Sequence, residues 1–362
     1  MKLIHTADLH LDSRLTGNLD REKAKIRKTE ILHTFTRITD YAAENGVSGV
    51  LIAGDLFDTA SVSATARNVV LAGIAGHPEI TFFWLRGNHD RDNFLSGLEE
   101  VPPNLKQFRD RWTSYRFGPV TVTGAELNRE NAGALFQSLF LEYPDINIVM
   151  LHGQEMKSRL KDKTEVIELP SLKNRNIDYL ALGHIHSYKA EKLDSRGVYC
   201  YPGCPDGRGF DECGEKGFVL LHVDEETKQV RPEFVPFSSR TLYTVEADVT
   251  GCANTPEIEQ AVRAKLGQAY PASSLLKVLL TGRVPVECEK DVLYLETVLG
   301  RQYFHVRVED CTELSVNYED YLYDRSLRGE FVRLVMADGT LSGEEKGAVI
   351  RTGFRALSGE EI

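Results

Sequence analysis

No stretch of the 362-residue sequence approaches the roughly 20 consecutive apolar residues that a membrane helix needs, so no membrane span is expected. The first residues carry neither a long apolar core nor a small-residue cleavage site, so no signal peptide is expected. Cysteine is scarce: six residues, at 200, 204, 213, 252, 288 and 311. Without secretion these read as reduced thiols of a cytoplasmic protein. The spacings of four and nine between Cys200, Cys204 and Cys213 do not fit common zinc patterns. No G-x-x-x-x-G-K-[ST] occurs and no heptads are sustained, which excludes a P-loop ATPase and a long coiled coil within the chain. Internal repeats and low-complexity tracts are also missing. So is any excess of positive charge. The net charge of −11 argues against non-specific binding of nucleic acid by the chain as a whole. It divides as −4 over residues 1–240 and −7 over 241–362. Bound cations would bring the first part close to neutral and leave room for a local phosphate-binding groove.

What the sequence does have is an ordinary globular composition, 42% hydrophobic and 27% charged, which can support a core. Over residues 1–240, apolar runs alternate with helical periodicity, which predicts an α/β (α+β) layered domain. Strands are predicted at Lys2–Ala7, Val47–Ala53, Thr81–Arg86, Val120–Thr123, Ile146–Leu151, Tyr179–Leu182, Gly197–Tyr201, Gly217–Val223 and Pro232–Val235. Helices are predicted at Arg21–Glu44 and near Ala64–Gly73. Arg91–Lys106, with Pro102-Pro103, reads as a loop. From about residue 241 a smaller βαβαβ-like pattern follows. Its first helix spans Thr255–Leu266, with Thr255 as N-cap and Pro256 at the first helical position. After residue 318 the chain reads as an amphipathic helical tail.

Five polar segments carry the chemistry: Asp8-Leu-His10, Gly54-Asp55-Leu-Phe-Asp58, Gly87-Asn88-His89-Asp90, Leu151-His152-Gly153 and Gly183-His184-Ile-His186. Each follows a predicted strand, where layered α/β folds build their sites. Asp8 and His10 alternate, which on an extended segment puts them on one face. Carboxylate, imidazole and amide oxygen without thiolate suit hard or borderline divalent cations. Two ions can be satisfied. One takes Asp8, His10 and His186, the other takes Asn88, His152 and His184, and Asp55 bridges them. Such a pair serves phosphoryl transfer. His89 is expected to point at substrate, with Asp58 accepting a hydrogen bond from its ring. Any one of these histidines alone reads as a structural polar group, as His5, His33, His77, His222 and His305 do. The conjunction of five segments is what points to a site. Asp12 is expected to be a loop residue that caps, bonds a neighbouring backbone or tunes the first ion from behind its ligands.

The same segments resemble the signature of calcineurin-like metallophosphoesterases. In the form Thr6-Ala-Asp-Leu-His-Leu-Asp12, Ala53-Gly-Asp-Leu-Phe-Asp58, Leu85-Arg-Gly-Asn-His-Asp90 and Leu182-Gly-His-Ile-His186, followed by Tyr201–Phe210 and Glu215-Lys-Gly217, they are similar to SbcD/YhaO-like DNA repair exonucleases. The resemblance covers residues 1–240 specifically and 241–318 more weakly. It implies a four-layered α-β-β-α core and a small α/β capping domain (241–318), while the helical tail (319–362) is a candidate either to dock a partner or to pack on its own capping domain. It further implies two manganese ions, with Mg²⁺ as the alternative, and DNA phosphodiester cleavage in double-strand-break repair. The implied partners are DNA, a separate SMC-like coiled-coil ATPase and a second copy of the chain in a homodimer. The implied place is the cytoplasm of a bacterial cell, associated with DNA. Some members of that group have His where Asp58 stands, which leaves His89 as the sole candidate catalytic imidazole.

Arg86, Arg91 and Arg208 flank the ligand segments and are candidates to meet a substrate phosphate, with surface salt bridges as the alternative. The basic clusters Arg21–Lys28 and Lys157–Lys163 are candidates to follow a DNA backbone, although Glu22 and Glu30 interleave with the first. Two other functions fit the same motifs: phosphodiester hydrolysis on a small substrate such as a cyclic nucleotide, and a DNA-end-binding scaffold with little catalysis.

Overall fold

The computed structural model describes residues 1–13, 15, 19–58, 62–90, 94–128, 130–131, 134–156, 166–357 and 359. The chain divides into two compact units, Met1–Leu242 and Tyr243–Ile362.

The first unit begins with β1 (Lys2–Thr6), α1 (Arg21–Glu44), β2 (Gly49–Ala53), α2 (Ala64–Gly76) and β3 (Thr81–Leu85). There follow β4 (Leu105–Gln107), β5 (Thr113–Phe117), β6 (Val120–Gly124), β7 (Ile146–His152), β8 (Gln154–Met156), β9 (Val166–Glu168) and α3 (Leu169–Leu172). The unit closes with β10 (Tyr179–Gly183), β11 (Lys189–Lys192), β12 (Val198–Tyr201), β13 (Gly217–Asp224) and β14 (Gln229–Pro236). Helix α1 starts behind Asp20, whose carboxylate accepts from Lys23 N at 2.9 Å. Helix α2 runs one turn past its expected end. Gly73 is not a stop but a packing notch, since a Cβ there would lie 2.9 Å from the Phe35 ring of α1.

Two six-stranded sheets form, in the orders β14-β13-β1-β2-β3-β4 and β11-β12-β10-β7-β6-β5. Leu3, Leu51 and Phe83 of the first sheet face Val120, Ile148 and Tyr179 of the second. Ile4, Val50, Ile52 and Phe82 point the other way, onto Ile31, Phe35 and Ile38 of α1 and Val70 and Ile74 of α2. Strands buried on both faces need uninterrupted apolar runs, which is why these read so clearly in the sequence. The far face of the second sheet packs Val149, Leu151, Leu180 and Leu182 against Phe136, Leu139, Leu169 and Leu172. The layering is therefore α-β-β-α, with a thin fourth layer of α3 and a single 3₁₀ turn.

Strands β4, β5, β8, β9 and β11 have no counterpart in the sequence reading. They are short, and the edge strands β5 and β11 alternate or expose charged residues, so no continuous apolar run marks them. β4 overlaps the end of the segment that reads as a loop.

β15 (Leu242–Asp248) begins on the last residue of the first unit, and the second unit goes on with α4 (Thr255–Leu266), β16 (Leu275–Thr281), β17 (Arg283–Pro285), α5 (Val292–Leu299), β18 (His305–Asp310) and β19 (Glu313–Ser315). β15, β16 and β18 form one sheet, on which Ile258, Val262, Leu295 and Leu299 pack. The N-cap of α4 is Asn254, not Thr255. Asn254 Oδ1 accepts from Glu257 N at 3.0 Å, while the Thr255 hydroxyl donates to Glu289 O. Pro256 thus falls at the second helical position. Helices α6 (Leu327–Ala337) and α7 (Gly343–Leu357) pack Val332 and Val335 on Ile350 and Phe354. Among the described residues no helix is long and apolar enough to cross a membrane.

Candidate metal centre

The carboxyl ends of β1, β2, β3, β7 and β10 meet at one rim of the first unit. Gly183 makes this approach possible, because a Cβ there would overlap the Ala53 carbonyl of the facing sheet. Strand β1 ends at Thr6, so Asp8 and His10 do not share a face by strand alternation as the sequence reading had it. Asp8, His10 and Asp12 instead adopt left-handed backbone, with φ of 52°, 46° and 66°, and Asp55 does the same at 50°. Non-glycine residues rarely sit there, and each costs about 1–3 kcal/mol. The loops hold them by pairing with each other: Asp8 N donates to Gly54 O at 3.0 Å, His10 N to Asp55 O at 3.0 Å and Leu11 N to Leu56 O at 2.9 Å. Asp12 turns away from the rim. Its carboxylate accepts from Ser63 N at 2.9 Å and pairs with Lys28 at 3.2 Å.

Donor atoms of Asp8, His10 and His186 lie within 4.8 Å of one another, as do those of Asp8, Asp55 and His152. His10 Nε2 is 3.1 Å from His186 Nε2 and 3.8 Å from Asp55 Oδ2. His152 Nε2 is 2.9 Å from Asn88 Oδ1 and 3.4 Å from Asp55 Oδ2, and His184 Nδ1 is 3.2 Å from Asn88 Oδ1. The seven side chains named from the sequence as ligands therefore converge, with Asp55 between the two sets.

Outer partners fix the tautomers of two of these rings. His152 Nδ1 faces Ala53 O at 2.9 Å, and His186 Nδ1 faces Glu212 Oε1 at 2.7 Å. Each partner can only accept, so each Nδ1 carries the hydrogen. In the neutral form of either ring Nε2 is then a lone pair aimed inward, among carboxylate and amide oxygens. Lone pairs crowded in this way draw a cation, a proton or a metal ion, and carboxylates and carbonyls behind imidazoles are the usual companions of a metal site. The donor set, without thiolate, suits divalent ions of hard or borderline character.

Protonation follows the same crowding. Burial pushes Asp8 up to about 6. Burial opposes charge on His152, but the hydrogen bond and charge of Asp55 outweigh it and raise the ring to about 9. Burial pushes His10 down to about 4. Asp90 is pushed up to about 7 by burial and by the charge of Asp55. It accepts from Gly87 N, Leu56 N and Phe57 N, which joins the second and third polar segments.

His89 is half exposed, and its Nδ1 lies 2.8 Å from Asp58 Oδ1. Asp58 also binds the Ser13 hydroxyl and Arg208. Burial raises the Asp58 carboxyl, but the hydrogen bonds from His10 and Ser13 and the charge of Arg208 hold it well below the usual carboxylate range. Of the three candidate arginines, Arg86 is taken up by Glu126, with Nη2 to Oε2 at 2.7 Å. Arg208 is taken up by Glu212 at 2.8 Å and Asp58 at 3.3 Å. Arg91 lies outside the described residues, as do Lys157–Lys163. In the first basic cluster Arg27 is buried and paired with Asp206 at 2.8 Å, so it does not face solvent. Glu212 escaped the sequence reading. Its only signal is its place in the polar stretch between Cys204 and Gly217. A cleft of about 530 Å³ opens beside Asn88 and His152, lined further by Arg86, Gln107, Arg109 and Asn128.

A sequence profile described as calcineurin-like phosphoesterase matches residues 1–188, just over half of the chain. The chain is 27% identical, over a 395-residue alignment covering 100% of it and 94% of the relative, to the uncharacterized metallophosphoesterase YhaO of Bacillus subtilis (strain 168). It is 28% identical to the DNA double-strand break repair protein Mre11 of Methanopyrus kandleri, over 80% of this chain and 67% of that protein. The Sulfolobus acidocaldarius protein of the same description is 24% identical, over 88% of this chain and 85% of its own length. The chain belongs to the calcineurin-like phosphoesterase family, hydrolases of phosphoester bonds that use divalent metal ions.

Proposed function

We propose that the protein is a two-metal, Mn²⁺-dependent DNA phosphodiesterase, with exonuclease and endonuclease action, that serves double-strand-break repair beside a separate SMC-like coiled-coil ATPase. The observation that carries this reading is the convergence of carboxylate, amide and imidazole groups on either side of Asp55. Asp8, His10 and His186 would hold one ion, Asn88, His152 and His184 the other, and Asp55 would bridge them. When bound, such a pair supplies Lewis-acid stabilisation of phosphoryl oxygens and an acidified water.

The chain's own residues do the rest. His89 N donates to Asp55 Oδ1 at 2.8 Å, which fixes the backbone that carries His89 relative to the bridge. Asp58 faces the Nδ1 hydrogen of His89 and orients the ring, so that the imidazolium would give its Nε2 proton to the leaving oxygen and be left neutral. The cleft beside Asn88 and His152 would receive the strand next to the scissile phosphate, with Arg109 on its exposed wall. DNA as substrate is supported by the two relatives described as DNA double-strand break repair proteins, whose alignments span 80% and 88% of this chain. Residues 241–318 would then cap the nuclease unit, and 319–362 would dock the ATPase.

The test is degradation of 3′- and 5′-labelled single- and double-stranded DNA with Mn²⁺, Mg²⁺ or chelator, beside Asp55→Ala. Mn²⁺-dependent cleavage that Asp55→Ala abolishes is expected. Fast turnover of a small phosphodiester without DNA cleavage overturns the DNA reading. DNA binding without any metal-dependent hydrolysis overturns the enzymatic one.

A further inference from the structure

The loop between β12 and β13 makes two sets of contacts, one with α1 and one behind the rim. Near its start, Asp206 is 3% exposed. It accepts from Arg27 Nη2 at 2.8 Å, Thr34 Oγ1 at 3.1 Å, Ser239 N at 3.0 Å and Ser239 Oγ at 2.8 Å. Arg27 donates to Gly207 O as well, at 2.9 Å. Arg27 and Thr34 belong to α1, which is packed along the first sheet, so this end of the loop cannot drift.

At the other end, Glu212 is 4% exposed and receives several donors. Its Oε1 meets His186 Nδ1 at 2.7 Å and Arg208 Nη2 at 2.8 Å, and its Oε2 accepts from Arg208 N at 2.7 Å. Arg208 Nη1 reaches Asp58 Oδ2 at 3.3 Å. The guanidinium thus spans two carboxylates, one behind His186 and one behind His89. Arg208 Nη2 also lies 3.4 Å from His186 Nδ1, but the 2.7 Å contact of Nδ1 with Glu212 Oε1 is far shorter, so the ring hydrogen stays with the carboxylate. A rigid planar fork suits this bridging, where the point charge of a lysine does not.

We propose that Glu212 is a positioning residue for the metal ligand His186, held in place by Arg208 and by the Asp206 anchor on α1. Its hydrogen bond selects the Nδ1–H tautomer and turns Nε2 toward Asp8 and His10, and its charge strengthens Nε2 as a donor. The proposal rests on the reading of His186 as a ligand.

The test is Mn²⁺ titration of the full chain, freed of metal, by calorimetry, together with ¹⁵N NMR of the histidine rings in the metal-free protein. His186→Ala identifies which binding step belongs to the Asp8–His10–His186 position. Glu212→Ala is expected to weaken that same step about 10- to 100-fold, leave the other step unchanged and cost His186 its single tautomer. Glu212→Gln fills the same space and still accepts from Nδ1–H. It should keep the tautomer and weaken the step about 10-fold, the lower end of that range, and it decides the matter if the alanine variant does not fold. Titrations of the Glu212 variants that superimpose on wild type, beside a weakened His186→Ala, overturn the positioning role and leave the ligand reading standing. A His186→Ala titration identical to wild type overturns the ligand reading itself.

Discussion

Loading the metal-free protein with Mn²⁺ at pH 7 should release close to one proton for each ion taken up at the Asn88–His152–His184 position. Asp55 lies 3.4 Å from His152 Nε2 and raises that ring to about 9 against the opposing effect of burial. Two pH units below that value the ring is about 99% protonated. A metal needs the bare nitrogen, so the proton must leave. Asn88 carries no titrating proton, and burial depresses His184, so neither adds to the count. The sign follows directly. Below pH 9 the metal-free ring holds a proton that binding expels, so affinity rises with pH and levels off above about 9. Between pH 6 and 8 the dissociation constant should tighten about 100-fold, or roughly 2.7 kcal/mol. At the other position the slope should steepen below about pH 6, where Asp8 becomes protonated. Calorimetry at pH 7 in two buffers of different ionisation enthalpy counts the proton, and titrations at pH 6, 7 and 8 give the slope. Heats that do not depend on the buffer, with a flat affinity from pH 6 to 8, would refute the Asp55–His152 charge pairing.

Other outcomes follow from the same geometry. His89→Asn should lower the rate of DNA cleavage about 10²- to 10⁴-fold while both Mn²⁺ binding steps stay as in wild type, and an undiminished rate would remove His89 from proton transfer. Asp206→Ala leaves the buried Arg27 guanidinium with Glu30 as its remaining carboxylate and removes the acceptor of Thr34 and Ser239, and should cost about 1–3 kcal/mol in urea unfolding; a loss below about 0.5 kcal/mol would mean that Asp206 is not anchoring the loop. Gly183→Ala forces a Cβ onto the Ala53 carbonyl and should destabilise the first unit by about 1–3 kcal/mol, read as a lower unfolding midpoint.

Much of the layering was legible because the physics is local. Val50 and Ile52 face helices while Leu51 faces the other sheet, so the whole of β2 must be apolar, and that shows in one line of sequence. Helix α1 carried its own start signal in Asp20 and its own periodicity in Ile31, Phe35 and Ile38. The edge strand β11, Lys189–Lys192, carried no such signal, because half of its hydrogen bonds and most of its side chains face water. The N-cap of α4 went to Asn254 rather than Thr255 because the Thr255 hydroxyl found the Glu289 carbonyl, a partner 34 residues away. In one dimension Arg86 and Arg208 read equally as phosphate contacts or salt bridges, and Arg27 as one member of a basic cluster. Their carboxylates, Glu126, Asp206 and Glu212, come from elsewhere in the chain or from a loop whose path is not visible in its sequence.

By itself the sequence determined the family, the layered architecture and the chemical character of the donor set, because apolar periodicity and ligand type are properties of short segments. The tertiary structure decided the rest. It drew five segments spread over some 180 residues to one rim, and put Asp8 and His10 side by side through left-handed backbone rather than strand alternation. It turned Asp12 outward onto Ser63 and Lys28. It also set a carbonyl behind His152 and a carboxylate behind His186, and so fixed which nitrogen of each faces inward. Which hydrogen a histidine keeps depends on the partner that folding brings to its outer side, and no short segment contains that partner.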